Sequence, residues 1–99
     1  MIRVKISEDA LQDLRDGYVF YEAQQSGLGD YFTTCLRGDI ESLRVYGGIH
    51  RIVYRDYHRL LSRVFPYGVF YTMEEGCAIV WAVIDLRRDP EWIRSKLSA

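Results

Sequence analysis

Arg59, Arg63, Arg87 and Arg88 are the residues of this 99-residue chain whose type and spacing best suit them to hold an anion or to steady one that forms during a reaction. If His58 to Phe65 is a strand, Arg59, Leu61, Arg63 and Phe65 alternate onto one face, and the two guanidiniums stand about 13 Å apart at roughly 3.3 Å per residue. At that distance they could bridge two phosphates of a nucleic acid or two carboxylates of a partner. The competing reading is a solvated strand face whose arginine stems cover apolar neighbours. Arg87 and Arg88 follow the apolar run Ile79 to Ile84 and are delivered by the end of a second strand. His50 and His58 are the acid–base candidates, because imidazole titrates nearest physiological pH. No carboxylate stands at a spacing that would orient either ring, so surface histidines beside arginines are the simpler alternative. Cys35 falls on a helical face turned toward the core, which removes a Cys–His nucleophilic pair. Cys35 and Cys77 lack metal-ligand spacing, so neither a metal site nor a disulfide is expected, and no cofactor motif is present.

The elements that must position these groups are read from periodicity. Ile2, Val4 and Ile6 alternate with Arg3 and Lys5, the pattern of a half-buried strand. Ser7 is a helix N-cap, Glu8 and Asp9 suit the positive end of the helix dipole, and Ala10, Leu11, Leu14, Tyr18 and Tyr21 mark one helical face to about Gln25. Ser26-Gly27-Leu28-Gly29 breaks that helix, and Phe32, Leu36, Ile40 and Leu43 define a second one, ended by Tyr46-Gly47-Gly48, so the two form an antiparallel hairpin. Ile49 to Tyr57 is a lead-in without an assigned regular structure. His58–Phe65, Gly68–Glu74 and Cys77–Asp85 read as three strands joined by hairpin-sized turns and therefore antiparallel. The third is apolar almost throughout, as a central strand covered on both faces would be. Asp89-Pro90 starts a short terminal helix. The order β-α-α-β-β-β predicts an α+β fold, with the first strand and the helical hairpin packed on a small antiparallel sheet.

With 48% hydrophobic residues, residues 1–99 are long enough for one core and too short for two, so a single domain is predicted. No apolar stretch approaches the roughly 20 residues of a membrane span, and Met1-Ile2-Arg3-Val4-Lys5 reads as a strand rather than a signal peptide, so a cytoplasmic location is expected. The formal net charge of −1 conceals an asymmetry. Residues 1–43 hold eight acids and four bases, residues 44–73 one acid and five bases, and residues 74–99 five acids and four bases. A middle segment of net +4 points to a surface that meets a polyanion or an acidic protein. Tyr18, Tyr21, Tyr67, Phe70, Tyr71 and Trp81 are most simply core and rim packing, although an aromatic surface is also what a partner helix would use.

Phe65-Pro66-Tyr67-Gly68-Val69-Phe70-Tyr71, then the run Ile79 to Ile84, then Asp85-Leu86-Arg87-Arg88-Asp89-Pro90, resembles the RelE/ParE toxin superfamily of bacterial type II toxin–antitoxin systems, and the likeness extends through the chain. The resemblance implies the same β-α-α-β-β-β fold and a cognate antitoxin that wraps the helical hairpin and sheet. In the RNase branch, basic residues on the strands and a tyrosine near the C-terminus would cleave mRNA on the ribosome. Here Arg59 and Arg88 match basic positions, Arg59, Arg63, Arg87 and Arg88 would supply the transition-state charge and His58 or His50 would carry the proton, but Gly68 stands where that branch resembles Gly-Tyr-Arg, and Glu91 to Lys96 contains no tyrosine. The Phe-Pro-Tyr-Gly-Val-Phe-Tyr form and the Arg-Arg-Asp-Pro ending look more like the ParE branch, which implies a gyrase inhibitor without hydrolytic activity. On that reading Arg59, Arg63, Arg87, Arg88, Tyr67 and Tyr71 contact the target or the antitoxin. The alternatives are a ribosome-dependent endoribonuclease and a non-toxic relative that acts only in complex formation, reaching promoter DNA through its antitoxin.

Overall fold

A computed structural model describes residues 1–98. The elements follow the order β1 (Arg3–Ile6), α1 (Glu8–Gln24), α2 (Leu28–Glu41), α3 (Leu43–Tyr46), β2 (Ile52–Tyr54), β3 (Tyr57–Leu61), β4 (Tyr67–Glu74), β5 (Cys77–Asp85) and α4 (Pro90–Ser98). The α+β class and the predicted order hold, with one strand added in the lead-in and one helical turn after α2. The five strands make one sheet in the order β1-β5-β4-β3-β2. β2 to β5 form an antiparallel meander, whereas β1 runs parallel to β5, with Arg3 to Ile6 facing Cys77 to Val80. The sheet is therefore mixed rather than purely antiparallel: α1 and α2 carry the chain away from β1, and the meander returns β5 beside it.

Local chemistry explains the boundaries. Ser7 ends β1 and starts α1 together: its N–H donates to the Val80 carbonyl at 2.9 Å, and its Oγ accepts the Ala10 N–H at 3.1 Å. At the other end of α1 the Glu22 carboxylate accepts the N–H groups of Gly27 and Gly29, which sets the turn into α2. Gly17 lets the two helices close, since a Cβ there would lie 2.4 Å from the Phe32 ring. β3 stops at Leu61, four residues short of the predicted Phe65. Ser62 donates from its hydroxyl to Asp39 at 2.8 Å and from its N–H to the Tyr67 carbonyl at 2.9 Å, turning the chain at once. Phe65 then folds inward, 4.9 Å from the Tyr21 ring and 5.1 Å from that of Phe32.

Two apolar clusters lie on opposite faces of the sheet. The larger joins the helical hairpin to the sheet through Leu14, Tyr21, Phe32, Leu36 and Ile40 against Val69, Tyr71, Val80 and Val83. The smaller holds α4 to the far face through Ile93 and Leu97 against Phe70, Ala82 and Ile84. A bulge opposite Phe70 and Tyr71 lets β5 serve both: Phe70 faces Ala82 but Tyr71 faces Val80, so Trp81 is the extra residue. β5 is central as predicted, but α4 covers only part of its second face, leaving Trp81 39% exposed with its indole N–H on the Thr72 hydroxyl at 2.9 Å.

β1 pairs with β5 only as far as Val80, and the edge beyond is served by a side chain. Asp13, buried on α1, accepts the Val83 N–H at 2.9 Å through one oxygen and Lys96 Nζ of α4 at 2.5 Å through the other. One carboxylate thus ties α1, β5 and α4. Replacing Asp13 with Ala leaves a buried amide and an ammonium without their acceptor. We expect Asp13→Ala to lower stability by about 2–3 kcal/mol, measured by urea unfolding, with a smaller loss for Lys96→Ala because the amide keeps its acceptor.

Candidate functional site

α4 and the sheet beneath it flank a groove of about 230 Å³ whose lining includes three arginines. Arg59 comes from β3, Arg88 from the turn after β5, and Arg94 from α4; Val53, Tyr54, Phe70, Leu86, Pro90, Ile93 and Leu97 supply the remaining walls. Arg59 is half-buried, while Arg88 and Arg94 are exposed. The Arg88 guanidinium lies 4.1 Å from the centroid of Trp92, which orients it without neutralising it. None of the three takes part in a salt bridge among the described residues. Gly68 lies at the base of this group: a Cβ there would come within 3.0 Å of Leu86 and 3.2 Å of the Arg59 stem. A larger side chain at that position would displace Arg59. Three arginines lining an otherwise largely apolar groove can bind a phosphate or a carboxylate with little loss to prior pairing.

The other two predicted arginines lie elsewhere. Arg63, expected on the Arg59 face, sits in the turn beyond the shortened β3, with 90% of its side chain exposed and its Nε 3.9 Å from Asp39. Arg87 folds back on Asp85 through two hydrogen bonds of 2.9 and 2.7 Å. That bidentate contact holds the Asp85 carboxyl below the usual carboxylate range and raises the already high affinity of Arg87 for its proton. Tyr71 is fully buried and Tyr67 is 8% exposed, so both phenols belong to the core and neither ring is presented to a partner. Burial pushes the pKa of each upward. Arg94, Trp92 and Tyr54 were not singled out from sequence. The spacing of Ile93 and Leu97 marks the buried side of α4 and could have pointed to Arg94 beside it.

The histidines occupy the opposite face of the sheet. His58 alternates with Arg59 along β3, and its ring stacks on Tyr71 with centroids 5.0 Å apart. Its Nδ1 donates to the His50 carbonyl at 2.7 Å. Tyr71 Oη accepts the Gly48 N–H at 3.0 Å and lies 2.5 Å from His50 Nδ1. A neutral His50 accepts the phenol proton there, and burial, reinforced by the nearby His58, holds the His50 pKa below its ordinary value. The pair acts as a strap for the segment before β2, not as part of the arginine groove.

A family model described as the ParE toxin of the type II toxin–antitoxin system, parDE, matches residues 4–90. The chain belongs to the ParE toxin family. Its fold is similar to that of a solved chain from a chromosomal ParDE toxin–antitoxin system of P. aeruginosa, with a TM-score of 0.74 at 12% identity over 84% of this chain and 94% of that one. Comparison with curated proteins returns no match. The residues matched to the ParE family include Arg59 and Arg88, whereas Trp92 and Arg94 lie beyond them, on α4.

The His50 geometry sets a pH dependence. Because the folded pKa is lowered, the contribution of neutral His50 is present above the ordinary histidine value of about 6.5 and is lost as pH falls through the folded value. The thermal midpoint is expected to drop between about pH 7 and pH 5. His50→Gln, which cannot titrate, should flatten that slope; an unchanged slope would place the titration elsewhere.

Proposed function

We propose that this ParE-family toxin acts by binding DNA gyrase through the Arg59, Arg88 and Arg94 groove, stalling the cleaved-DNA intermediate, and that a cognate antitoxin neutralises it. Family membership supports the toxin class, and one geometric observation carries the choice of binding over bond cleavage. RNA cleavage assisted by histidine needs its proton carrier beside the cations that stabilise the phosphorus-centred charge. His58 instead projects from the opposite face of the sheet to Arg59, and His50 is bonded to the Tyr71 hydroxyl. Arg63 and Arg87 are also removed from the groove, so the four-arginine transition-state cluster required by the ribonuclease reading is not assembled.

For a binder the same arrangement is sufficient. Guanidiniums free of salt bridges among the described residues, one of them held against Trp92, beside apolar walls suit a contact patch in which charge directs the encounter and buried area holds it. Gly68 fits this role by leaving room for the Arg59 stem. The cognate antitoxin is expected to carry an acidic segment that is disordered when free and orders on the toxin.

Induction of this chain alone in a bacterial host is expected to arrest growth and to yield linearised plasmid once protein is denatured, with the linear product absent in a gyrase-resistant strain. The double substitution Arg59→Glu/Arg88→Glu should reduce that product by about tenfold or more while the protein remains folded. Arrest with intact plasmid would transfer the assignment to ribosome-dependent mRNA cleavage, and absence of arrest would leave the non-toxic relative.

A further inference from the structure

The segment from Arg44 in α3 to Ile52 at the start of β2 crosses one end of the sheet as a strap. The Arg44 carbonyl accepts the Ile2 N–H at 3.0 Å beside β1, Gly48 donates to Tyr71 of β4, and the Arg51 carbonyl accepts the Arg59 N–H at 3.0 Å on β3. The strap thus spans from the β1 side to the β2 edge, about 19 Å at four interstrand steps of roughly 4.8 Å. Its backbone is pinned by the Tyr71 and His58 hydrogen bonds, yet it turns Val45, Tyr46, Ile49 and Ile52 to solvent at 63%, 54%, 72% and 53% exposure. Four large apolar side chains in eight residues, held in the open by this backbone, form a surface that is left uncovered among the described residues.

Charge narrows what covers it. Residues 44–55 contain Arg44, Arg51 and Arg55 and no acid. Arg44 is paired with Glu41, but Arg51 is exposed without a salt-bridge partner among the described residues, and Arg55 lies over the Tyr54 ring. The acids at that end of the sheet are Asp56, on the β2–β3 turn beside Arg55, and Glu74 and Glu75 at the β4–β5 turn, where Glu74 accepts the Thr72 hydroxyl; none of them forms a salt bridge with Arg51 or Arg55 among the described residues. Arg51 and Arg55 against Asp56 leave a net positive charge toward β2, with Arg51 standing clear of the turn acid. An isologous contact between two copies would bring two patches of the same net positive charge together, which disfavours self-association. The length of the strap exceeds a small molecule and suits an extended or helical chain segment.

We propose that the strap from Val45 to Ile52 is the docking surface for an acidic, partly apolar segment of the antitoxin, with its carboxylates toward Arg51 and Arg55; this rests on the antitoxin reading above. The apolar side chains bind, and the arginines set direction and rate.

The test uses the full chain and the small protein encoded beside it, titrated by calorimetry. Binding of the wild type establishes the antitoxin reading; no binding would overturn that reading and the docking surface with it. Given binding, Ile49→Asp should weaken affinity by about tenfold or more, and Arg51→Glu should weaken it at low salt with an effect that shrinks at high salt. Val64→Asp, equally apolar and 54% exposed on the β3–β4 turn, should leave affinity in place. Unchanged affinity for Ile49→Asp, or equal losses at Ile49 and Val64, would overturn the proposal while leaving the antitoxin reading intact. So would binding of the free chain to phosphatidylglycerol vesicles that Ile49→Asp abolishes without altering antitoxin affinity, since the strap would then serve a membrane surface.

Discussion

A strand longer than its neighbour exposes backbone groups that something else must satisfy. β5 has nine residues and β1 only four, and the unpaired stretch carries the buried Val83 N–H. Asp13 meets that amide from α1 and uses its second oxygen for Lys96 of α4. Because a buried carboxylate requires compensation, the two contacts support each other: the ammonium offsets the charge and the amide fixes its position. The helical hairpin and the terminal helix, which pack on opposite faces of the sheet, are thereby registered to the same residue of the same strand. The placement of α4, and hence of Trp92 and Arg94 relative to Arg88 and Arg59, depends on this link.

The arginines of this chain divide by what surrounds them. Arg87 and Arg44 close local ion pairs with Asp85 and Glu41, and Arg63 reaches toward Asp39 from a solvated turn. Exposed pairs of this kind add little to stability, but they remove those guanidiniums from easy use by a partner. Arg59, Arg88 and Arg94 are supported instead by apolar and aromatic surface, so their charge stays available. A polar hydrogen-bond network occupies the other side of the same strands, where Tyr71 and the two histidines fasten the strap before β2. The two faces of β3 thus do different work through alternation alone.

Much of this was legible in the residues. The β-α-α-β-β-β order, the Ser7 cap, the hairpin break at Gly27 and the extent of β5 follow from periodicity and capping chemistry, which act over a few neighbouring residues. The Phe65 to Tyr71 and Arg87 to Pro90 patterns carried the family. What failed was also local in origin: the alternation of Arg59 and Arg63 assumes a strand that continues, and the Ser62–Asp39 hydrogen bond that ends it involves a partner 23 positions away.

Sequence by itself determined the class of fold, the family and the positions of the candidate cations, because these depend on residue type and short-range spacing. Tertiary structure alone decided that β1 runs parallel to β5, that Arg59 and Arg88 line one groove with Arg94 while Arg63 and Arg87 do not, and that the histidines lie on the other face of the sheet. Each of these outcomes depends on contacts between distant segments, whose geometry is set by packing on a shared core and by the satisfaction of buried polar groups such as Asp13.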